Sequence, residues 1–371
     1  MRVLMVIRDD AEATLGGDTI QVRETRSALE ALGHHVEVCG TSEVERAGPC
    51  DVAHVFNIQT AESSWRAFQL LERRETPIVL SSIYWDMLDH WFDLAVLRLP
   101  RWRTLVGVLG RPRARNLYVR WHRMKAPLTP EWRLQRALLE RAVRVLPNSQ
   151  SEADLLMATF RLNGGFSDKV DVVPNGIVRS RFEAPQPSAF FLERYGVRDF
   201  VLEVGAISPV KNQLGLLDAL ADTPVPMVFI GQPAPGMPEY AERCRERAAR
   251  RGNVVFVDRL PHEELPGIYA LAAVHALPSW RETPGLASLE AAAAGCRVVS
   301  TSIGSATDYF GDLAWYCDPA DVESIRRAVG AALAAPRSTA LRERVLSAFT
   351  WDAAGRATAA SYGRAAGRRS V

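Results

Sequence analysis

Short apolar runs rich in valine alternate with helix-period segments along almost the whole 371-residue chain, and this alternation restricts the fold more than any other feature. In the first half, runs at 2–7, 36–39, 52–56, 78–82, 144–147 and 170–173 read as strands, with helical patterns at 19–32, 61–74 and 148–160. In the second half, strand runs at 200–204, 227–230, 254–257, 274–277, 297–300 and 314–317 are separated by helical patterns at 212–220, 239–251, 262–271, 286–294 and 322–334. Continuously apolar strands joined by helices indicate parallel sheets buried on both faces. Two such series predict two doubly wound Rossmann-like α/β domains. The irregular, proline-bearing stretch 179–199 separates them, giving expected domains 1–185 and 186–348. Residues 349–371 are expected as a C-terminal helix, with the first domain as one place for it to return.

Composition narrows the function. Forty-five Lys plus Arg against forty-three Asp plus Glu leave a net charge of +2, which gives no overall bias toward nucleic acid. Five scattered cysteines without a C-x-x-C spacing argue against a disulfide framework or zinc site and predict a reducing cytoplasm. The start MRVLMVIRDD lacks the form of a secretory signal, and no apolar stretch reaches the roughly 18 residues of a spanning helix.

The stretch 278–301 carries the sharpest chemical signal. It sets Glu282 and Glu290 seven intervening residues apart across a strand-to-helix junction. Thr283 and Pro284 are expected at the helix start, as cap and first helical residue, and Gly295 at its end. Glu282 then sits just outside the helix mouth, and Glu290 roughly two turns inside. Gly285 leaves the amide end open to a negatively charged group, which suits a phosphate. Gly16-Gly17-Asp18 follows the first strand, where paired glycines mark a sharp bend or close approach of a ligand, although the full G-x-G-x-x-G spacing is absent. Ser149 and Glu152 have the spacing of a capping box.

These residues, in this order, resemble the GT-B glycosyltransferases, and within them the large retaining group called family 4. The resemblance covers most of the chain and rests on several segments. They are Gly16-Gly17, PNSQSEADLL at 147–156, VVPNGI at 172–177, VGAISPVKNQ at 204–213, the Glu282/Glu290 pair and the closing Phe349-Thr350-Trp351. It implies two Rossmann-like domains with parallel sheets facing a cleft. A nucleotide diphosphate sugar would be held mainly by the C-terminal domain and the acceptor mainly by the N-terminal one. It implies donor contacts at Gly17, Ser208, Lys211, Asn212, Arg259, Leu260, Glu282, Pro284, Gly285, Leu286 and Glu290, with Lys211 at the phosphate-binding lysine position. Glu290 would accept from the ribose hydroxyls, and Glu282 would lie beside the transferred sugar, so that Glu282 and Lys211 carry the catalysis. Acceptor contacts fall at Asp18, Tyr84, Trp85 and Asp86.

Two departures from the family pattern stand out. Ala206 follows Gly205 where an arginine is common, and Ser82-Ile83-Tyr84-Trp85-Asp86 replaces a segment that often carries a histidine. The implied reaction moves a hexose-type sugar to a glycan, lipid-linked or natural-product hydroxyl with retained configuration and no cofactor. A sugar-nucleotide epimerase on the same fold and a non-enzymatic sugar-nucleotide or glycan binder are the alternatives.

Metal is not expected, since the chain has no D-x-D, and Asp86, Asp89, His90 and Asp93 read as a polar helix face rather than an ion site. His275, inside a strand run, reads as a core residue. Residues 98–125 hold nine Arg or Lys and no Asp or Glu, interleaved with aromatic and aliphatic residues. That segment suits either an exposed basic loop or a peripheral contact with the inner face of a membrane.

Overall fold

Strands β1 (Arg2–Ile7), β2 (His35–Gly40), β3 (Val52–Phe56), β4 (Ile78–Ser81) and β5 (Arg144–Val145) form one sheet in the order β2-β1-β3-β4-β5, every pair parallel. Strands β6 (Val201–Val204), β7 (Met227–Ile230), β8 (Val254–Val257), β9 (Val274–Leu277), β10 (Arg297–Thr301) and β11 (Trp315–Cys317) form a second, in the order β11-β10-β9-β6-β7-β8. It too is parallel throughout. This computed structural model describes residues 1–11, 16–94, 96, 99–283 and 285–367, with positions 89, 94 and 262 described by backbone alone.

Both sheets are covered on their two faces, which is why strands such as β3 and β9 are buried at every residue. In the first, Leu4, Val55, Leu80 and Val145 pack with Phe68, Leu138 and Leu156 from the surrounding helices. In the second, the cores on either side centre on Phe200, Leu202 and Tyr269 and on Val201, Leu216 and Phe229.

Each sheet has one point where the strand order reverses, between β1 and β3 in the first and between β6 and β9 in the second. Connections leave such a point in opposite directions and open a crevice outside the carboxyl ends of the strands. The loops following β1 and β3, and those following β6 and β9, are therefore where chemistry is expected.

The chain divides into one unit of residues 1–175 with the segment from 351 onward, and a second unit of Gly176–Thr350. The expected boundary at 185 falls later than this division. Residues 176–185 belong to the second unit because the Ile177 N–H donates to the Phe349 carbonyl at 3.0 Å, pairing the outgoing chain with the returning one. The helix Trp351–Gly367 closes on the first unit, where Tyr362 Oη meets His54 Nδ1 at 2.7 Å and Ser361 donates to Asp171 at 2.7 Å. Burial pushes His54 down to about 3, so it stays neutral beneath this helix.

Several expectations need correction. Residues 170–173 form only a single bridge, Val145 to Val170. Pro147 opposite them has no N–H to donate, so the ladder cannot continue in both directions. The crossover from β4 to β5, where the sequence suggests only the polar helix face of Asp86 to Asp93, contains Leu88–Leu94, Pro100–Leu109, Arg111–Lys125 and Pro130–Arg141. The Ser149 hydroxyl caps Gln150–Phe160 as expected, accepting from the Glu152 N–H at 3.0 Å. The Glu152 carboxylate does not complete the box. It accepts instead from the Ser82 hydroxyl, the Tyr84 N–H at 2.8 Å and the Asn148 N–H at 2.8 Å, so this buried acid holds the loop after β4.

The seat of the last helix is a close one, since a Cβ at Gly355 would lie 2.5 Å from Ala28 Cβ. Gly355→Val is expected to lower stability to urea unfolding by about 1–3 kcal/mol through overpacking. Gly363→Ala, with nothing within 4 Å of its Cβ, is expected to leave stability unchanged or slightly raised.

Candidate active site

The loop after β6 is built around two amide side chains. Gln213, fully buried, accepts from the Ser208 N–H at 3.1 Å through Oε1 and donates through Nε2 to Glu203 Oε1 at 2.8 Å and to the Ala206 carbonyl at 3.2 Å. Asn212, in the left-handed region at φ 65°, donates to the carbonyls of Pro278 at 3.2 Å and Pro319 at 2.9 Å. The Trp280 N–H adds a bond to the Val210 carbonyl at 2.9 Å. The loops after β6 and β9, on the two sides of the strand-order reversal, are thereby fixed to one another.

Between these loops Lys211 Nζ meets Glu282 Oε1 at 2.7 Å. The Glu282 side chain is 5% exposed and the Lys211 side chain 27%, so the carboxylate is enclosed while its cation reaches the surface of the crevice. The Glu282 backbone is pinned as well. Its N–H donates to the Ile303 carbonyl at 3.3 Å, and its own carbonyl accepts from the Ser305 N–H at 2.9 Å. Gly304, at φ 114°, passes so close that any Cβ would collide with the Glu282 carbonyl.

The helix Leu286–Ala293 starts from Gly285, at φ 83° and with no side-chain cap. Thr283 is therefore not the cap expected from the sequence: a left-handed turn at the glycine starts the helix without a hydroxyl. Pro284, assigned above to the donor site, lies outside the described residues. The Glu282 carboxylate lies over Gly285, where a Cβ would come within 3.1 Å of Oε2. Leu286, the first helical residue, packs partly against the core, and Glu290 lies four residues on, about one turn into the helix rather than two. Glu290 Oε2 accepts from the Tyr269 hydroxyl at 3.3 Å. Burial, and then the Glu290 charge, push Tyr269 well above its ordinary range, so it acts as a neutral donor orienting the carboxylate. Gly295, at φ 84°, follows the helix end as expected, its N–H donating to Ala292. His275 is a core residue, bonded to the Ser288 hydroxyl at 3.2 Å and pushed down to about 3 by burial.

The sequence reading missed Glu203. It sits inside β6, 1% exposed, behind Lys211, and its signal was a lone carboxylate within the apolar run FVLEV. Burial raises its pKa well above the carboxylate range, the Lys211 charge works against that and the Glu282 charge with it. Burial prevails in that balance and favours the protonated form of Glu203 beside the Lys211–Glu282 pair. Ala206 is exposed and brings no cation to this loop. Arg259, after β8 on the same carboxyl edge, is exposed and donates to Gln232 Oε1 at 3.2 Å, while Leu260 packs partly into the core.

In the first unit the loops after β1 and β3 also meet at the strand-order reversal. Asp18 accepts from Arg8 Nε at 2.9 Å, Asn57 Nδ2 at 3.2 Å and its neighbour Thr19 N–H at 2.9 Å. Burial pushes this carboxyl up, but Arg8, Asn57 and Thr19 together outweigh it and hold Asp18 ionised below the usual range. Gly17 opens the helix Gly17–Ala31, and nothing lies within 4 Å of the Cβ it lacks.

The loop after β4 departs from expectation. Tyr84 turns its ring into the core edge-on to Phe160, which removes it as an acceptor contact. Ile83 before it takes a φ of 46°, costly for a β-branched residue and sustained by the Glu152 bonds. Trp85 is half-buried, with its carbonyl accepting from Gln59 Nε2 at 2.9 Å. Asp86 is paired with Arg123 at 2.7 Å, and Asp93 with Arg111 at 2.7 Å, so these carboxylates serve arginines. The Asp89 side chain lies outside what is described. Among the described residues no three His, Cys, Asp or Glu groups converge as metal ligands.

Comparison with known proteins gives a consistent picture. Residues 188–345 match the family described as Glycosyl transferases group 1, and residues 15–181 match Glycosyltransferase Family 4. The chain is 31% identical to O-antigen chain mannosyltransferase B of Escherichia coli over 142 residues, 36% of this chain and 37% of that protein. It is 33% identical over 192 residues to a GDP-mannose-dependent alpha-(1-6)-phosphatidylinositol monomannoside mannosyltransferase of Mycolicibacterium smegmatis, 47% of this chain and 50% of that protein. The matches thus span half or less of the length of these two relatives. In fold the chain is similar to sucrose-phosphate synthase from Thermosynechococcus elongatus, with a TM-score of 0.75, 19% identity and 98% of each chain covered.

Glu203→Gln keeps an acceptor oxygen for Gln213 and removes the ionisable proton. Because the folded chain holds the Glu203 proton where the unfolded chain has already lost it, the wild type loses stability as pH rises from the ordinary carboxyl range toward the raised folded value. The advantage of Glu203→Gln in thermal unfolding is expected to be small near pH 4 and to grow by up to about 1.4 kcal/mol per pH unit above it. A gap independent of pH contradicts a Glu203 carboxyl raised by burial.

Proposed function

Because the chain belongs to the GT-B glycosyltransferases of group 1, family 4, we propose that it moves a hexose-type sugar from a nucleoside diphosphate sugar to an acceptor hydroxyl. The observation that carries this reading is the Lys211–Glu282 pair beside an uncapped helix mouth, with Glu290 oriented by Tyr269 one turn inside.

The donor diphosphate lies against Lys211 and the first amides of Leu286–Ala293, where a cation and a helix end meet the charge that grows on the departing phosphate. Glu290 accepts from the ribose diol. Glu282 lies beside the sugar and holds its hydroxyls and the positive charge developing at the anomeric carbon, without forming a covalent intermediate. Ser208, Asn212, Arg259 and Leu260 complete the donor surroundings within the second unit, while Gly17, Asp18, Trp85 and Asp86 are the first unit's own candidate contacts. The bond from anomeric carbon to phosphate oxygen breaks as the acceptor oxygen attacks the same face. The acceptor proton passes to the departing phosphate, so configuration is retained.

Lys211 and the helix mouth supply the positive charge, and transfer proceeds without a divalent cation. The acceptor is a glycan, lipid-linked or natural-product hydroxyl. The relatives' names include mannosyl transfer and GDP-mannose, which makes GDP-mannose the first donor to try.

Glu290→Ala is expected to weaken donor binding about tenfold to a hundredfold by calorimetry, the loss of charge-assisted bonds to the diol. Unchanged affinity would remove Glu290 from the ribose. Lys211→Ala is expected to lower turnover about a hundredfold to a thousandfold. EDTA is expected to leave wild-type turnover unaltered, and a loss restored by Mg²⁺ would contradict metal independence.

A further inference from the structure

Seven of the thirteen strongly exposed large apolar side chains among the described residues lie between 91 and 128. Four of them, Leu117, Trp121, Met124 and Leu128, follow one another at spacings of four, three and four. At 3.6 residues per turn this draws a single row along the helix Arg111–Lys125 and the turn after it. They are 49, 43, 66 and 71% exposed.

The adjoining side of the same helix is packed, with Ala114, Tyr118 and Val119 in a small core beside Phe92 and Val96. The helix is thus anchored through one face while a second apolar face is left in water. No helix among the described residues is long and apolar enough to cross a membrane.

Charge selects what covers the row. Arg113 heads it one turn before Leu117, and Arg120 and Lys125 lie on its two sides, with Lys125 Nζ 3.9 Å from the centre of the Trp121 ring. Arg111, Arg115 and Arg123 are answered by Asp93 and Asp86, whereas among the described residues no carboxylate pairs with Arg113, Arg120 or Lys125. A row one helix wide is small against the roughly 800 Å² that each partner buries in a stable protein interface. An anionic bilayer offers what this face matches, a plane of negative headgroups over hydrocarbon, with tryptophan at the boundary between them. We propose that the helix Arg111–Lys125 lies in the surface of an anionic lipid bilayer, its Leu117-Trp121-Met124 row entering the acyl boundary and Arg113, Arg120 and Lys125 meeting lipid phosphates. The contact is independent of the donor chemistry proposed above.

The test is co-sedimentation of the full chain with vesicles of phosphatidylcholine alone and of phosphatidylcholine mixed with phosphatidylglycerol. The wild type is expected to pellet with the mixed vesicles, less so as salt rises, and to stay in solution with phosphatidylcholine. Each cation contributes about fivefold, so Arg113→Glu/Arg120→Glu/Lys125→Glu is expected to lower the partition coefficient on the order of a hundredfold or more. Trp121→Glu/Met124→Glu is expected to abolish pelleting at unchanged circular dichroism. If that double variant is misfolded, the charge-reversal variant decides. Arg243→Glu/Arg245→Glu/Arg250→Glu, on the helix Pro238–Arg251 of the second unit, matches the charge change elsewhere and should pellet like the wild type. The proposal is overturned if the wild type ignores the mixed vesicles, if both variants of the row pellet normally, or if the control loses as much as the charge reversal. It is overturned equally if the wild type is a dimer that Trp121→Glu dissociates and that ignores the vesicles, because a second copy would then cover the row.

Discussion

The contact between Lys211 and Glu282 is the point on which the second unit is organised. An enclosed ion pair is not favourable by default, since desolvating both groups offsets much of their attraction. Here the surroundings fix both partners before any ligand arrives. Asn212 and Gln213 hold the lysine's loop, Ile303 and Ser305 hold the glutamate's backbone, and Glu282 Oε1 lies 2.7 Å from the lysine nitrogen. The lysine is the more exposed of the two. A cation already positioned, with one side toward a crevice, needs little reorganisation when negative charge develops next to it.

The same architectural logic operates in each sheet. A parallel sheet whose strand order reverses must send neighbouring loops apart, and each unit spends that opening on charged side chains. Lys211 and Glu282 occupy it in one unit, Arg8, Asp18 and Asn57 in the other. In both, a carboxylate is kept ionised or paired by donors from the adjoining loop. Away from the reversal, buried polar groups serve the scaffold instead, as Glu152 does in restraining Ser82 and Tyr84.

How much of this was legible in the sequence followed from how local its cause was. The strands were readable because parallel strands buried on both faces are continuous apolar runs. Glu282 and Glu290 stood out because a helix start lay between them. The start itself was misread: threonine is a good cap and proline a good first helical residue, but a left-handed glycine fixed the turn. Glu203 was absorbed into its strand because an apolar run was read as a unit, and only tertiary burial behind Lys211 gives its carboxyl a distinctive state. Tyr84 looked available because the sequence does not show that Ile83 bends the chain and turns the ring inward. The helices of 100–125 were hidden by arginines, which broke an apolar period whose two faces become distinct only once the small core beside Phe92 is known.

The most direct test of the central claim is to offer the purified chain a panel of UDP-, GDP- and ADP-hexoses with candidate acceptors and weigh the products. The account predicts that one donor class is consumed and that an acceptor gains the mass of one hexosyl unit as nucleoside diphosphate is released. Failure to bind or consume any of these donors, or conversion of a donor to an isomer without an acceptor, would contradict it.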